Sequence, residues 1–141
     1  MARRAALTPR DAAAVERARE GAARRLEDAG CRRVFSDFHD ARGQTIERNL
    51  ESWETGPAEY LRMLPFVDGF GDSLCHREKV MLVSTPNVPR VVVCPGFARV
   101  QRSEPGVAES LVIHEVLHTL GRGENPPSSA EITRRVEARC R

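Results

Sequence analysis

Between Val107 and Leu120 the chain reads VAESLVIHEVLHTL, a stretch apolar enough that it can only be a helix with a face buried against the rest of the protein. Val112, Val116 and Leu120 fall at i, i+4 and i+8, with Ile113 and Leu117 beside them, and Gly121 ends the run. That core stripe leaves His114, Glu115 and His118 together on a separate face. Everything else in the chain has to be arranged around this segment.

The remaining pattern is mainly helical. Thr8-Pro9-Arg10-Asp11 is a helix start, with Thr as N-cap, Pro at the first helical position and an acid in the first turn. Val15, Ala18, Ala22 and Leu26 then share one thin stripe that Gly30 is expected to stop. Ile46, Leu50 and Trp53 predict a second helix ending at Gly56-Pro57, and Tyr60, Leu61 and Leu64 a third ending at Pro65. Residues 66–73, with Gly69 and Gly71, are expected to be a loop, and 36–42 a polar turn. Lys79 to Thr85 and Arg90 to Cys94 are Val-rich and separated by Pro86-Asn87-Val88-Pro89, which predicts a β-hairpin. Ser103 to Gly106 is a turn. Asn125-Pro126-Pro127 is a rigid connection, and Ser128-Ser129-Ala130-Glu131 opens a last helix whose Ile132 and Val136 face the core. The expected architecture is a small single-domain α+β fold with four parts: a helical part over 8–64, a hairpin over 79–95, the His-bearing helix over 107–120 and a C-terminal helix over 128–140.

At 141 residues, with 40% apolar and 30% charged side chains, the chain has the size and composition of one globular domain. No apolar run approaches the length of a membrane span. Nine arginines against five acids in residues 1–33 make that end locally basic. The charges are interleaved, however, and the whole chain is only +2, so no nucleic-acid partner is expected. An Arg-rich helix that binds an acidic protein partner is a rival reading. Cys31, Cys75, Cys94 and Cys140 are even in number, and no two form a C-x-x-C pair. They predict two disulfides and a secreted or periplasmic protein, with the pairing open. The first residues, MARRAALTPR, lack the apolar core of a signal peptide; free thiols in the cytoplasm are the alternative.

The chemistry is concentrated in His114-Glu115-Val116-Leu117-His118. On a helix, i and i+4 imidazoles project from neighbouring turns of one face and can share one ion. A glutamate next to the first of them can hold and deprotonate a water without ligating the metal. One Zn²⁺ is the expected cofactor, with His114 and His118 as ligands and Glu115 as general base. Glu124, six residues past His118 and just beyond Gly121, is the first candidate for a third ligand. Glu131 is the second, although Ser128-x-x-Glu131 also reads as a capping box. His76, His39 and Tyr60 are weaker polar candidates, each with an ordinary loop, turn or packing role open to it.

The run His114 to Glu124, H-E-V-L-H-T-L-G-R-G-E, resembles the metzincin zinc-peptidase signature H-E-x-x-H-x-x-G-x-x-H. His114 and His118 match its first two ligands, Glu115 its base and Gly121 its glycine, while Glu124 stands where the family has a third His. No Met follows Met81, so the family's Met-turn has no counterpart. A looser similarity is to the deuterolysin-like aspzincins, which also carry cysteines and a strand run like Val91-Val92-Val93-Cys94-Pro95 before H-E-x-x-H; their G-T-x-D motif is absent. The resemblance implies a zinc-dependent peptidase acting on a peptide or protein substrate, and the chain is expected to be a monomer. The alternative is a non-catalytic zinc-binding or interaction module that retains the helix. On the peptidase reading, either strand of the hairpin could receive an extended peptide along an exposed edge.

Overall fold

The computed structural model describes residues 6–77, 80–124 and 126–141. Helix α1, Pro9–Arg25, begins as its sequence dictates: the Thr8 side chain accepts from the Asp11 amide at 3.2 Å and Pro9 occupies the first turn. Its buried face is made of small residues, Ala14, Ala18, Gly21 and Ala22, with Val15 among them. A thin face brings a neighbour close. At Gly21 an added Cβ would lie 2.2 Å from Oε2 of Glu109, and Arg25 bonds the other carboxylate oxygen of Glu109 at 2.7 Å. That neighbour is the long apolar helix α8, Pro105–Thr119.

Four short helices follow α1. Helix α1 ends at Leu26, before Gly30, and Gly30 lies inside α2, Ala29–Arg32. Here Asp28 acts as a new N-cap, accepting from the Cys31 amide at 3.1 Å, and capping overrides the expected glycine stop. Helix α3, Val34–Asp37, occupies the start of the segment expected to be a polar turn, because Val34 and Phe35 are fully buried. Helices α4, Ile46–Glu51, and α5, Pro57–Met63, correspond to the predicted second and third helices. Trp53 does not belong to the α4 stripe: the helix ends at Glu51, and the indole is 48% exposed.

The expected loop over 66–73 is another correction. Phe66–Asp68 is strand β1, and Ser73–Arg77 is helix α6. Strands β2, Leu82–Val83, and β3, Val91–Val93, form the predicted hairpin in antiparallel register, Leu82 opposite Val93. Strand β1 joins β3 from the other side in parallel, Phe66 opposite Val91. The sheet order is therefore β1-β3-β2, with β3 in the centre and fully buried. A run of three residues is too short for a period of two to be legible, so β1 was hidden in the sequence. The hairpin strands are shorter than expected, since the turn closed by the Val88 amide on the Thr85 carbonyl, flanked by Pro86 and Pro89, ends the ladder early. Lys79, at the start of the predicted first strand, lies outside the described residues, as does Asn125.

Helix α7, Phe97–Ser103, leads into α8, and α9, Ser129–Arg139, closes the chain. The observed α8 and α9 match the predicted helices to within two residues at each end. Helix α8 touches α1, α7, α9 and β2, and from Val112 to Leu120 every residue is buried. The architecture is α+β in one small domain, with a main core through α1, α8 and β3 and a lesser cluster around Cys75, Val92 and Cys94.

Two disulfides, Cys31–Cys140 and Cys75–Cys94, leave no free cysteine, which removes the free-thiol alternative. They point to an oxidising, extracellular type of compartment. Among the described residues no helix is long and apolar enough to cross a membrane.

The C-terminal helix is pinned twice, by Cys140 to Cys31 and by Arg139 to Asp37, whose two oxygens each accept from the guanidinium at 2.9 Å. The hydrogen bonds from Arg139 hold the Asp37 carboxyl below its ordinary value of 3.8. A depressed carboxyl stabilises the fold above its unfolded pKa, and that contribution is lost as pH falls through the folded value. Asp37→Asn should thus cost about 1 kcal/mol at pH 7, a figure that allows for solvent screening, and much less near pH 2. Urea unfolding at the two pH values checks this; an equal cost at both would count against the pair.

Candidate metal centre

Two imidazoles and two carboxylates meet at the C-terminal half of α8. His114 and His118 lie one turn apart, with their rings 4.8 Å apart between centroids and their Nε2 atoms 3.0 Å apart. Their exposures are 2% and 5%, so the His face predicted to stand apart from the core is itself buried. Glu115, 6% exposed, lies with Oε2 at 4.0 Å from Nε2 of His114. The ligand atoms of His114, Glu115 and His118 all fall within 4.8 Å of one another, a buried group that could hold a metal ion.

Glu124 reaches the same point from outside the helix. Its Oε1 is 3.0 Å from Nε2 of His118 and 3.4 Å from Nε2 of His114. The local cause is a Schellman turn at the end of α8: the Gly121 amide bonds the His118 carbonyl at 2.9 Å, and the Arg122 amide bonds the Leu117 carbonyl at 3.0 Å. Gly121 takes φ 117°, where a side chain would be strained, and an added Cβ would lie 3.1 Å from both Asn49 and Asn87. The turn sends the chain back over the imidazoles. Glu131 stays away, since its carboxylate accepts from the Ser128 hydroxyl at 3.1 Å and its amide donates to the same oxygen at 3.2 Å, the Ser128 cap expected from the sequence.

The far nitrogens of both rings are engaged. Nδ1 of His118 faces the backbone carbonyl of Arg122 in a short contact. A carbonyl only accepts, so Nδ1 carries the proton and, in the neutral ring, Nε2 presents a lone pair. Nδ1 of His114 lies 2.9 Å from the Thr133 hydroxyl on α9. Burial, and after it the His118 ring, pushes the His114 imidazole down to about 4, so that ring is neutral near pH 7. The Thr133 hydroxyl can donate as well as accept; where it accepts from Nδ1 of His114, Nε2 of that ring is bare, and the two Nε2 atoms and the Glu124 oxygen form a group that could hold a metal ion.

Burial lifts the Glu115 carboxyl to about 8. Ser84 Oγ, near enough to favour the ionised carboxylate, is buried and closes no hydrogen bond of ordinary geometry among the described residues. A cleft of about 490 Å³ opens over the group, walled by Leu74, Val80, Met81, Leu82, Val83 and Leu111.

The other candidates lie elsewhere. His76 is exposed on α6, and His39 is exposed in an isolated bridge with Thr45. Tyr60 is buried with its hydroxyl 2.8 Å from Thr119 Oγ1, the packing role its spacing allowed. Three supporting residues were not anticipated. Thr133 had only its place beside Ile132 as a signal. The Arg122 contribution is a backbone atom. Asn49, from α4, donates to the orphan carbonyl of Leu120 at 2.8 Å and to Asp40 at 3.0 Å, so it fixes the end of α8 from a distant part of the chain.

Removing the Thr133 hydroxyl while keeping its shape, Thr133→Val, should weaken metal binding about 10–100-fold through loss of ring orientation. Competition against a chromogenic chelator reads this, with circular dichroism as the folding control. Unchanged affinity would mean that Thr133 does not orient His114.

Comparison of the chain with protein-family models, with curated proteins and with solved structures gives no match.

Proposed function

We propose that the protein is a secreted zinc-dependent peptidase in which His114, His118 and Glu124 hold the metal and Glu115 is the general base. The supporting observation is the triangle of ligand atoms. Its edges of 3.0, 3.0 and 3.4 Å are close to the edge of about 3.3 Å that bonds of roughly 2.0–2.1 Å make in a tetrahedral zinc site. Two nitrogens and one carboxylate oxygen are a donor set that zinc accepts, and three protein ligands are the number that leaves a position open for chemistry. A fully exposed third ligand would have been weak support. Glu124, with its side chain 39% exposed, is seated on both imidazoles.

The bound ion would supply Lewis acidity, acidifying water and polarising the scissile carbonyl. The rest of the reaction falls to the chain. Glu115 takes the proton from the water that attacks the carbonyl carbon, and then delivers it to the amine as the C–N bond breaks. Burial raises this carboxyl, which favours its return of the proton to the amine; the ionised form is the one that accepts the proton from water. His114 and His118 keep their positions through Thr133 and the Arg122 carbonyl.

The sheet narrows the substrate's approach. Strand β3 is interior, so the Arg90 to Cys94 run is excluded as a docking edge. Strand β2 is an edge strand that touches α8 and lines the cleft through Leu82 and Val83. An extended peptide can add to its outer side and cross the imidazoles.

In metal analysis after dialysis, His118→Ala should lose zinc, whereas Glu115→Ala should retain it and lose at least about 100-fold in hydrolysis of an unfolded protein such as casein. Retained zinc with no hydrolysis by the unaltered protein would favour the non-catalytic module instead. Glu124→Ala should weaken zinc binding well beyond any effect of Glu131→Ala, and the opposite ranking would move the third ligand to α9.

A further inference from the structure

The sole tryptophan of the chain is not in the core. Trp53 follows α4 and stands 48% exposed, at the mouth of a second cleft of about 460 Å³. Asn87, Thr119 and Leu120 are in its lining, whereas Ser84 and Pro86 line the cleft over the imidazoles. An exposed indole beside a cleft is a more informative departure than a scattered surface leucine.

We propose that this cleft binds a neutral pyranose, as a sugar ring stacked on Trp53 with its hydroxyls read by the side-chain amides of Asn87 and Gln44. A pyranose has a C–H-rich face and a rim of hydroxyls. The indole face, the negative pole of its quadrupole, suits the first, and planar amide and carboxylate groups suit the second. Tyr60 steadies the indole edge-on, with centroids 5.4 Å apart, so the platform is held before any ligand arrives. The far wall is rigid too. Asp40 accepts from the amides of Arg42 and Gln44 at 2.9 Å each and from Asn49 at 3.0 Å.

An independent sign comes from the backbone. Among the described residues only two other than glycine have left-handed φ, Asn87 at 66° and Glu54 at 55°. Asn87 lines the cleft, and Glu54 is the residue after Trp53, so the less favoured conformation occurs in the lining and next to the indole, a feature that concentrates at ligand sites. The Asn87 carboxamide is exposed and closes no hydrogen bond among the described residues, which leaves its donors and acceptor for a ligand. A nucleotide fits less well, because Arg42 is the one cation in the described lining. No strand lines the cleft to receive a peptide ladder.

The indole is its own reporter. Titration of the full chain with N,N′,N″-triacetylchitotriose and with maltotriose, followed by tryptophan fluorescence, should give a saturable blue shift with at least one of them, and none with glycerol. Asn87→Gly tolerates the left-handed φ and deletes only the carboxamide; it should weaken that binding about tenfold or more. Gln44→Ala, at an exposed wall position, is the second variant, with the same direction expected. No saturable change with either sugar, or the same affinity in both folded variants, overturns the proposal. The readout needs neither metal nor hydrolysis, so it stands or falls apart from the peptidase reading.

Discussion

The protein is organised around the cost of placing two imidazoles and a carboxyl inside its core helix. Unpaired ionisable groups in an apolar interior are expensive, and they are tolerated only when neutral or tied to partners. Here each solution is visible. His114 is kept neutral by burial, Glu115 has its pKa raised so that its charge is easily surrendered, and His118 gives its Nδ1 proton to a backbone carbonyl. Glu124 is brought to the remaining lone pairs. A helix apolar on so many sides could have been a purely structural wedge between α1, α7, α9 and β2, and three polar side chains in its buried half are tolerated there through the partners just named.

The turn at Gly121 links fold to site. One left-handed residue satisfies the end of α8, places the Arg122 carbonyl on His118 and returns Glu124 to the imidazoles. The turn is itself held from below by Asn49 and Asp40 and from the side by the Asn87 amide, which bonds the His118 carbonyl at 3.3 Å. Two clefts therefore share one set of supports: the 84–88 turn gives Ser84 and Pro86 to the one over the imidazoles and Asn87 to the one beside Trp53.

How much of this the sequence carried depends on the range of each interaction. His114, Glu115, His118, Gly121 and Glu124 lie within eleven consecutive residues, so helical geometry and one turn residue were enough to bring them together on paper. The Thr8 cap of α1 and the Ser128 cap of α9 were legible for the same reason. What escaped was non-local or small. Strand β1 exists because Phe66 pairs with Val91, a partner twenty-five residues away, and its three residues hold no pattern of their own. Thr133 and Asn49 act on the site across distances of nineteen and seventy-one positions. Trp53 shows the opposite error, since its spacing matched a core stripe but α4 stops at Glu51 and leaves the indole outside.

The two disulfides bear on the site unequally. A cross-link over 109 positions removes about 5 kcal/mol of denatured-state entropy in the loop model, against about 3 kcal/mol for one over 19. The longer one, Cys31–Cys140, also fastens the end of α9, the helix that presents Thr133 to His114. The shorter one ties Cys75 on α6 to Cys94 after β3, and the residue before Cys75 is Leu74, part of the cleft wall. Reduction would loosen the ring support from one direction and the cleft wall from another. For a chain whose core helix has been given over to polar groups, covalent staples are the compensation that lets so small a core carry them.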